Sequence, residues 1–255
     1  MIPPREEWHL DTRRLGRRVL VYDRLDSTST LAAALAHDPA NDGVAVLADE
    51  QSAGRGQYGR RWLCPPRCGV LLSLLLFPPV PLRRPALLTA WAAVAVCETI
   101  RQAAGLQAQI KWPNDVLIRG RKVCGILIEQ GQGTVVGIGL NVNQPAAVFE
   151  QAGLTEAGSL AVFTGTSFDS YQLARRLLGQ LDEEYDRLCA GDLATLETRW
   201  QRHLGLLGQL VVAECPDRVY QGRLCELAFD GLILEPPDGA TIQLRPEMVR
   251  HLRPA

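Results

Sequence analysis

The chain has 255 residues, enough for one large domain or for a catalytic domain with a small appendage. A hydrophobic content of 47% supports a packed core and excludes global disorder. With 27 Lys and Arg against 28 Asp and Glu, bulk polyanion binding is excluded, and any nucleotide role must rest on a local patch.

The opening MIPPREEWHLDTRR carries prolines and charges where a secretion signal needs an apolar run. The residues ahead of Val19 are too few for a helix-turn-helix domain, so DNA binding is not expected. VLVYDRLDSTSTLAAALA (19–36) predicts a strand, a polar turn and a helix, with Ser27, Thr28 and Ser29 available as caps. Residues 43–48 predict a buried strand that runs directly into QSAGRGQYGRRW (51–62). A further strand is expected at 70–77, closed by FPPVP. Residues 85–104 predict a helix with Pro85 at its start and Gly105 as its stop. The apolar stretches at 70–77 and 86–96 end before membrane-spanning length, and a cytoplasmic protein is expected.

Residues 109–112, a PND turn and strands at 116–118 and 123–129 follow, then a strand at 134–142. Residues 170–203 read as two helical pieces broken near Gly191. Several strands with few crossover helices, then helices, define an α+β fold rather than a doubly wound one. From Gly205 the texture changes. QLVVAE, RVYQGRLCEL, GLILEP and TIQLRP are short strands between turn residues, which predicts a small β-barrel and a boundary dividing 1–204 from 205–255. Of seven scattered cysteines only Cys64 and Cys68 lie close, without a second pair or a histidine to complete a tetrahedral set. No permanent metal site is expected.

Residues 51–62 hold three glycines and three arginines with no acidic residue. Gly54 to Gly59 matches G-x-G-x-x-G, but a dinucleotide fingerprint needs a helix after its last glycine, and here RRWLCPPRCG follows. A phosphate loop of the Walker type fails as well, because no Lys-Ser or Lys-Thr follows Gly59. What remains is a segment whose glycines bring backbone N–H groups close to an anion and whose arginines supply forked donors. By itself it reads equally well as a solvated loop. Trp62 beside it is either a core residue or a cover for a ligand ring. IKWPNDVLIRGRKVCGILIE (110–129) adds Lys111 at a strand end before a rigid turn with Asn114 and Asp115, and GIGLNVN (137–143) adds glycines within a strand.

Taken in order, DSTST, DEQSAGRGQYGRRW, KWPND with RKVCGILIE, and GIGLNVN resemble the successive landmarks of biotin protein ligases, from Val21 to the chain end. The resemblance implies a mixed-sheet catalytic domain of the class II synthetase-like, biotin/lipoate ligase type and a C-terminal SH3-like β-barrel. It also implies joining of biotin to AMP from MgATP, then transfer to a lysine of a biotin carboxyl carrier domain. Carried over by position, Ser27, Thr28, Ser29 and Gln51 hold biotin's polar ends. Gly54, Arg55, Gly56 and Gln57 wrap ligand and adenylate, with Arg60 and Trp62 on the adenylate side. Lys111 lies between the biotin carboxylate and the α-phosphate, and Lys111 and Arg55 are the catalytic residues implied. Asn114 resembles a nucleotide or metal-proximal contact, and Asp115 a turn stabiliser.

One departure is visible. The family block commonly reads GRGR, and Gln57 stands at its last arginine, which implies weaker retention of biotinyl-AMP unless Arg60 or Arg61 substitutes. No histidine lies in these motifs to deprotonate the acceptor lysine. A homodimer through an exposed sheet edge is compatible with the pattern. The rival readings are a lipoate or octanoate ligase or transferase, which the arginine-glycine block fits less well, and a non-catalytic biotin-binding module.

Overall fold

A computed structural model describes residues 3–237 and 239–255. Strands β1 (Glu6–Trp8), β2 (Val19–Leu25), β3 (Ala45–Gln51), β4 (Gly69–Leu76), β5 (Gln109–Lys111), β6 (Asp115–Ile118), β7 (Arg121–Gln130) and β8 (Thr134–Asn141) form one sheet, in the order β1-β2-β3-β4-β8-β7-β6-β5. Only β2 and β3 run parallel, so the sheet is mixed and the fold is α+β.

Alternate side chains of a strand face opposite sides, and each side here has its own core. Val19, Val21, Ala45 and Leu47 join the larger one, whereas Leu20, Tyr22, Val46 and Ala48 join the smaller. Helix α1 (Thr28–Ala34) packs over β3, β4 and β8 on the smaller side. The short helices α3 (Ala146–Gln151) and α4 (Leu160–Thr164) follow β8. On the larger side lie α2 (Pro85–Ala104), α5 (Ser170–Cys189) and α6 (Leu193–Leu204). Helix α2 starts at Pro85 and stops at Gly105, whose φ of 65° gives the left-handed turn that glycine adopts freely. The break between α5 and α6 falls at Gly191, φ 90°, and Asp192 caps α6 through Thr195 N at 3.2 Å.

One expectation needs correction. Ser27 occupies the cap position of α1, but neither it nor its neighbours caps the helix through a side chain. The Thr28 and Ser29 hydroxyls turn across to β4 instead. The opening residues also contain a strand, β1, paired antiparallel with β2.

Residues after 205 form a second, wholly antiparallel sheet of β9 (Leu210–Glu214), β10 (Val219–Leu227), β11 (Leu232–Glu235), β12 (Ile242–Leu244) and β13 (His251–Pro254), ordered β12-β11-β10-β9-β13. An aromatic seam joins it to the first. Phe229 stacks on Trp200 of α6 at 5.0 Å, and Trp200 meets Trp112 at 5.7 Å. The buried Trp112 indole N–H donates to Val249 O at 2.8 Å. Trp112→Phe leaves that carbonyl without its donor, and is expected to cost about 1–3 kcal/mol of stability, read as a lower urea midpoint with unchanged slope.

Candidate active site

A cleft of about 330 Å³ opens on the side of the large sheet that carries α1, a size usual for small-molecule sites. Its inner end is polar. Gln51 Oε1 accepts from Thr28 N at 2.8 Å and from Thr28 Oγ1 at 3.1 Å. Ser73 of β4, fully buried, lies 2.8 Å from Thr28 Oγ1 and 3.0 Å from Ser29 Oγ. Buried hydroxyls stay only where they find partners, and these three find one another.

The floor is made by glycines of β7 and β8. Gly125 and Gly139 pair in register, and the Trp62 ring lies over both. A Cβ on Gly139 would meet Trp62 Cε2 at 2.4 Å, and one on Gly125 would meet Cζ3 at 2.9 Å. A Cβ on Gly137 would stand 2.9 Å from Ser29 Oγ. Any side chain at these positions would occupy the space that the ring and the hydroxyl now fill. The Trp62 indole N–H is buried with no partner among the described residues.

Residues 52–62 double back as a small hydrogen-bonded loop. Gly56 N donates to Arg60 O at 2.7 Å, and Trp62 N donates to Gly54 O at 3.0 Å. At the tip Tyr58 is 73% exposed and, with φ 57°, adopts a conformation that side chains other than glycine rarely take. Arg55 is latched to the sheet. Its guanidinium donates to both oxygens of Glu129 at 3.0 and 3.1 Å and to Thr30 Oγ1 at 2.6 Å.

At the outer end two lysines differ sharply. Lys111 ends β5, is exposed, and reaches the cleft rim. Lys122 is half-buried in β7, 2.6 Å from Asp115 Oδ1 and 5.7 Å from the centre of the Trp62 ring. Asn114, which lines the cleft, donates from Nδ2 to Ile126 O at 2.7 Å, and its Oδ1 accepts no hydrogen bond among the described residues.

The cleft thus gathers Ser27, Thr28, Ser29, Gln51, Arg55, Gly56, Gln57, Arg60, Trp62, Lys111 and Asn114. Gly54 does not reach it. That glycine sits behind the wall, where a Cβ would meet Trp62 O at 2.7 Å. Sequence reasoning missed Ser73, Lys122, Leu154 and His251, all of which line the cleft. His251 comes from the second sheet, through β13. Cys64 stays a thiol, because burial pushes it up to about 12 beside Gln144 Nε2 at 3.2 Å. Among the described residues no group of three His, Cys, Asp or Glu could hold a metal ion, and no helix is long and apolar enough to cross a membrane.

An enclosed polar pocket joined to a cationic rim by a glycine floor suits a site that seats a small acid against a phosphate ester. Comparison with known proteins agrees with that geometry. The sequence profile of the biotin/lipoate A/B protein ligase family matches residues 21–143. The biotin–[acetyl-CoA-carboxylase] ligase of Mycobacterium tuberculosis is 33% identical over 263 residues, covering 95% of this chain and 97% of that protein. The bifunctional ligase/repressor BirA of Bacillus subtilis is 34% identical over 231 residues, covering 88% of this chain and 71% of the relative. Among solved structures, the biotin protein ligase of Aquifex aeolicus in complex with biotin and ATP superposes with a TM-score of 0.76 at 25% identity, covering 93% of this chain and 99% of that one. The chain belongs to the biotin protein ligases of the biotin/lipoate A/B protein ligase family.

Proposed function

We propose that this protein is an ATP-dependent biotin protein ligase. Its cleft joins biotin to AMP and then passes the biotinyl group to a lysine of a biotin carboxyl carrier domain. The observation that carries the reading is the pairing of a hydroxyl-and-amide pocket with a cationic rim across the Gly125–Gly139 floor. Relatives named as biotin ligases, and a structural neighbour holding biotin and ATP, support it.

In the first step a biotin carboxylate oxygen attacks the α-phosphorus, and the bond to the β-phosphate oxygen breaks to release pyrophosphate. Two anions must approach, so cations fixed beforehand lower the barrier most. Lys122 is the cation assigned to that meeting point, held by Asp115. Lys111 and Arg60 lie on the solvent side, where they attract the polyphosphate. The Asn114 Oδ1 oxygen suits a hard divalent cation, and Mg²⁺ bound there would neutralise phosphate charge. In the second step the acceptor amine attacks the acyl carbon, the C–O bond to phosphate breaks, AMP leaves, and the amine loses a proton. Trp62 covers the mixed anhydride against water.

Residues 1–204 form the catalytic unit in this reading and 205–255 an SH3-like appendage. The reading is of a cytoplasmic enzyme, with self-association through a sheet edge read by sedimentation. The test is incubation with MgATP, biotin and a carrier domain, followed by intact mass. A biotinyl adduct on the carrier is the expected result, and lipoate in place of biotin should give none. An unlabelled carrier would refute the proposal. Gln57→Arg should slow escape of biotinyl-AMP severalfold in a pulse-chase experiment, since it adds charge at the loop.

A further inference from the structure

The hydroxyl hydrogens at the inner end of the cleft can be assigned from heavy atoms alone. A backbone N–H only donates, so the Gln51 side-chain atom 2.8 Å from Thr28 N is its oxygen. That oxygen carries no hydrogen, so Thr28 Oγ1, 3.1 Å away, donates to it. The single Thr28 hydroxyl proton is then occupied, and across the 2.8 Å contact Ser73 must donate to Thr28. The Ser73 proton is occupied in turn, and across 3.0 Å Ser29 must donate to Ser73. The relay runs one way: Ser29 to Ser73 to Thr28 to Gln51.

Its two ends belong to residues that line the cleft and have opposite characters. Ser29 Oγ has no proton left and presents only lone pairs. Gln51 Nε2 has no partner among the described residues and presents only donors. We propose that Ser73 is a specificity-determining residue, which passes the direction set at Thr28 and Gln51 on to Ser29 Oγ and so selects a ligand that offers an N–H donor and a carbonyl acceptor side by side, as a cyclic urea does. An acid ending in a disulfide ring or an alkyl chain offers neither, and would leave Ser29 Oγ and Gln51 Nε2 unpaired on burial. Ser73 is fully buried in the middle of β4, so it acts through Thr28 and Ser29.

The inference rests on the biotin reading above and is tested so that the two fail separately. Ser73→Thr and Ser73→Val have the same shape and differ only in the hydroxyl. Biotin-dependent pyrophosphate exchange is measured for both. The expected result is a KM for biotin about tenfold higher in Ser73→Val than in Ser73→Thr, with the KM for ATP matched between them. The penalty for methylating a ureido nitrogen of biotin should also shrink about tenfold in Ser73→Val but not in Ser73→Thr. Equal biotin KM values in the two variants, or parallel rises in the KM values for biotin and ATP, would overturn the relay. Should either β-branched variant not melt cooperatively, Ser73→Ala takes its place. A biotin KM like that of the unmodified protein would then overturn the inference. Absence of exchange in the unmodified protein would instead refute the biotin ligase reading.

Discussion

Replacing Lys122 with methionine is expected to lower the rate of biotin-dependent pyrophosphate exchange by about 10²–10³-fold, the loss typical when one preorganised charge donor is removed from a reacting centre. Lys122 holds its ammonium 2.6 Å from Asp115 beneath the loop that carries Trp62, so its position is set before any ligand arrives. Methionine keeps the length and the apolar stem but leaves Asp115 without its partner. Lys122→Arg should recover part of the rate, and Asp115→Asn should lower kcat more than it raises the KM for ATP. Lys111→Met is expected to act differently. An exposed cation is screened by salt, so the loss should stay within about tenfold, fall mainly on the KM for ATP, and fade at high ionic strength. Exchange measured for these variants at two salt concentrations separates the lysines. Equal losses at Lys111 and Lys122 would contradict the assignment.

Gly139→Ala is the second large effect. Its φ is not of the left-handed kind, so alanine strains no backbone here; the clash is with the Trp62 ring, 2.4 Å from the new methyl. Overpacking of this kind typically costs roughly 1–3 kcal/mol. The ring and the loop behind it must shift, and exchange activity should fall with stability. Pairing Gly139→Ala with Trp62→Ala separates the two losses. The double variant should regain the melting temperature lost through Gly139→Ala alone, because the methyl then meets open space, while activity stays low for want of the cover. A double variant as unstable as the sum of both changes would show that the clash is not the cause.

Much of the fold was legible because its signals are local. Pro85 and Gly105 bracket α2, Gly191 separates α5 from α6, β4 and β8 stand within a residue of their expected places, and β3, expected at 43–48, spans Ala45–Gln51. The short β1 was hidden because its EEW carries charges that no strand pattern favours. Helices α3 and α4, of six and five residues, are too brief for a 3.6-residue period to register.

In the site, the polar residues were readable as a set and their partners were not. Lys122 shows why. Strict alternation from Gly125 and Leu127 would send residue 122 to the opposite side of β7, but Val116 pairs with Cys124 and Leu117 with Lys122, so Val123 bulges. The bulge turns Lys122 back into the cleft, and no count of residues reveals it. Ser73 was read as one more residue of an apolar strand, since its meaning depends on α1 crossing above it. His251 lies 140 positions after Lys111, and only the docking of the second sheet brings it to the rim.

The bond from Trp112 to Val249 distributes constraint unequally between its two ends. Its acceptor is a main-chain oxygen, which any amino acid at 249 supplies; its donor is an indole, which no other side chain reproduces in place. Drift is therefore tolerated downstream and forbidden in the turn. A chimaera that imports its last fifty residues from a distant cousin should still latch, provided the borrowed ribbon keeps its length.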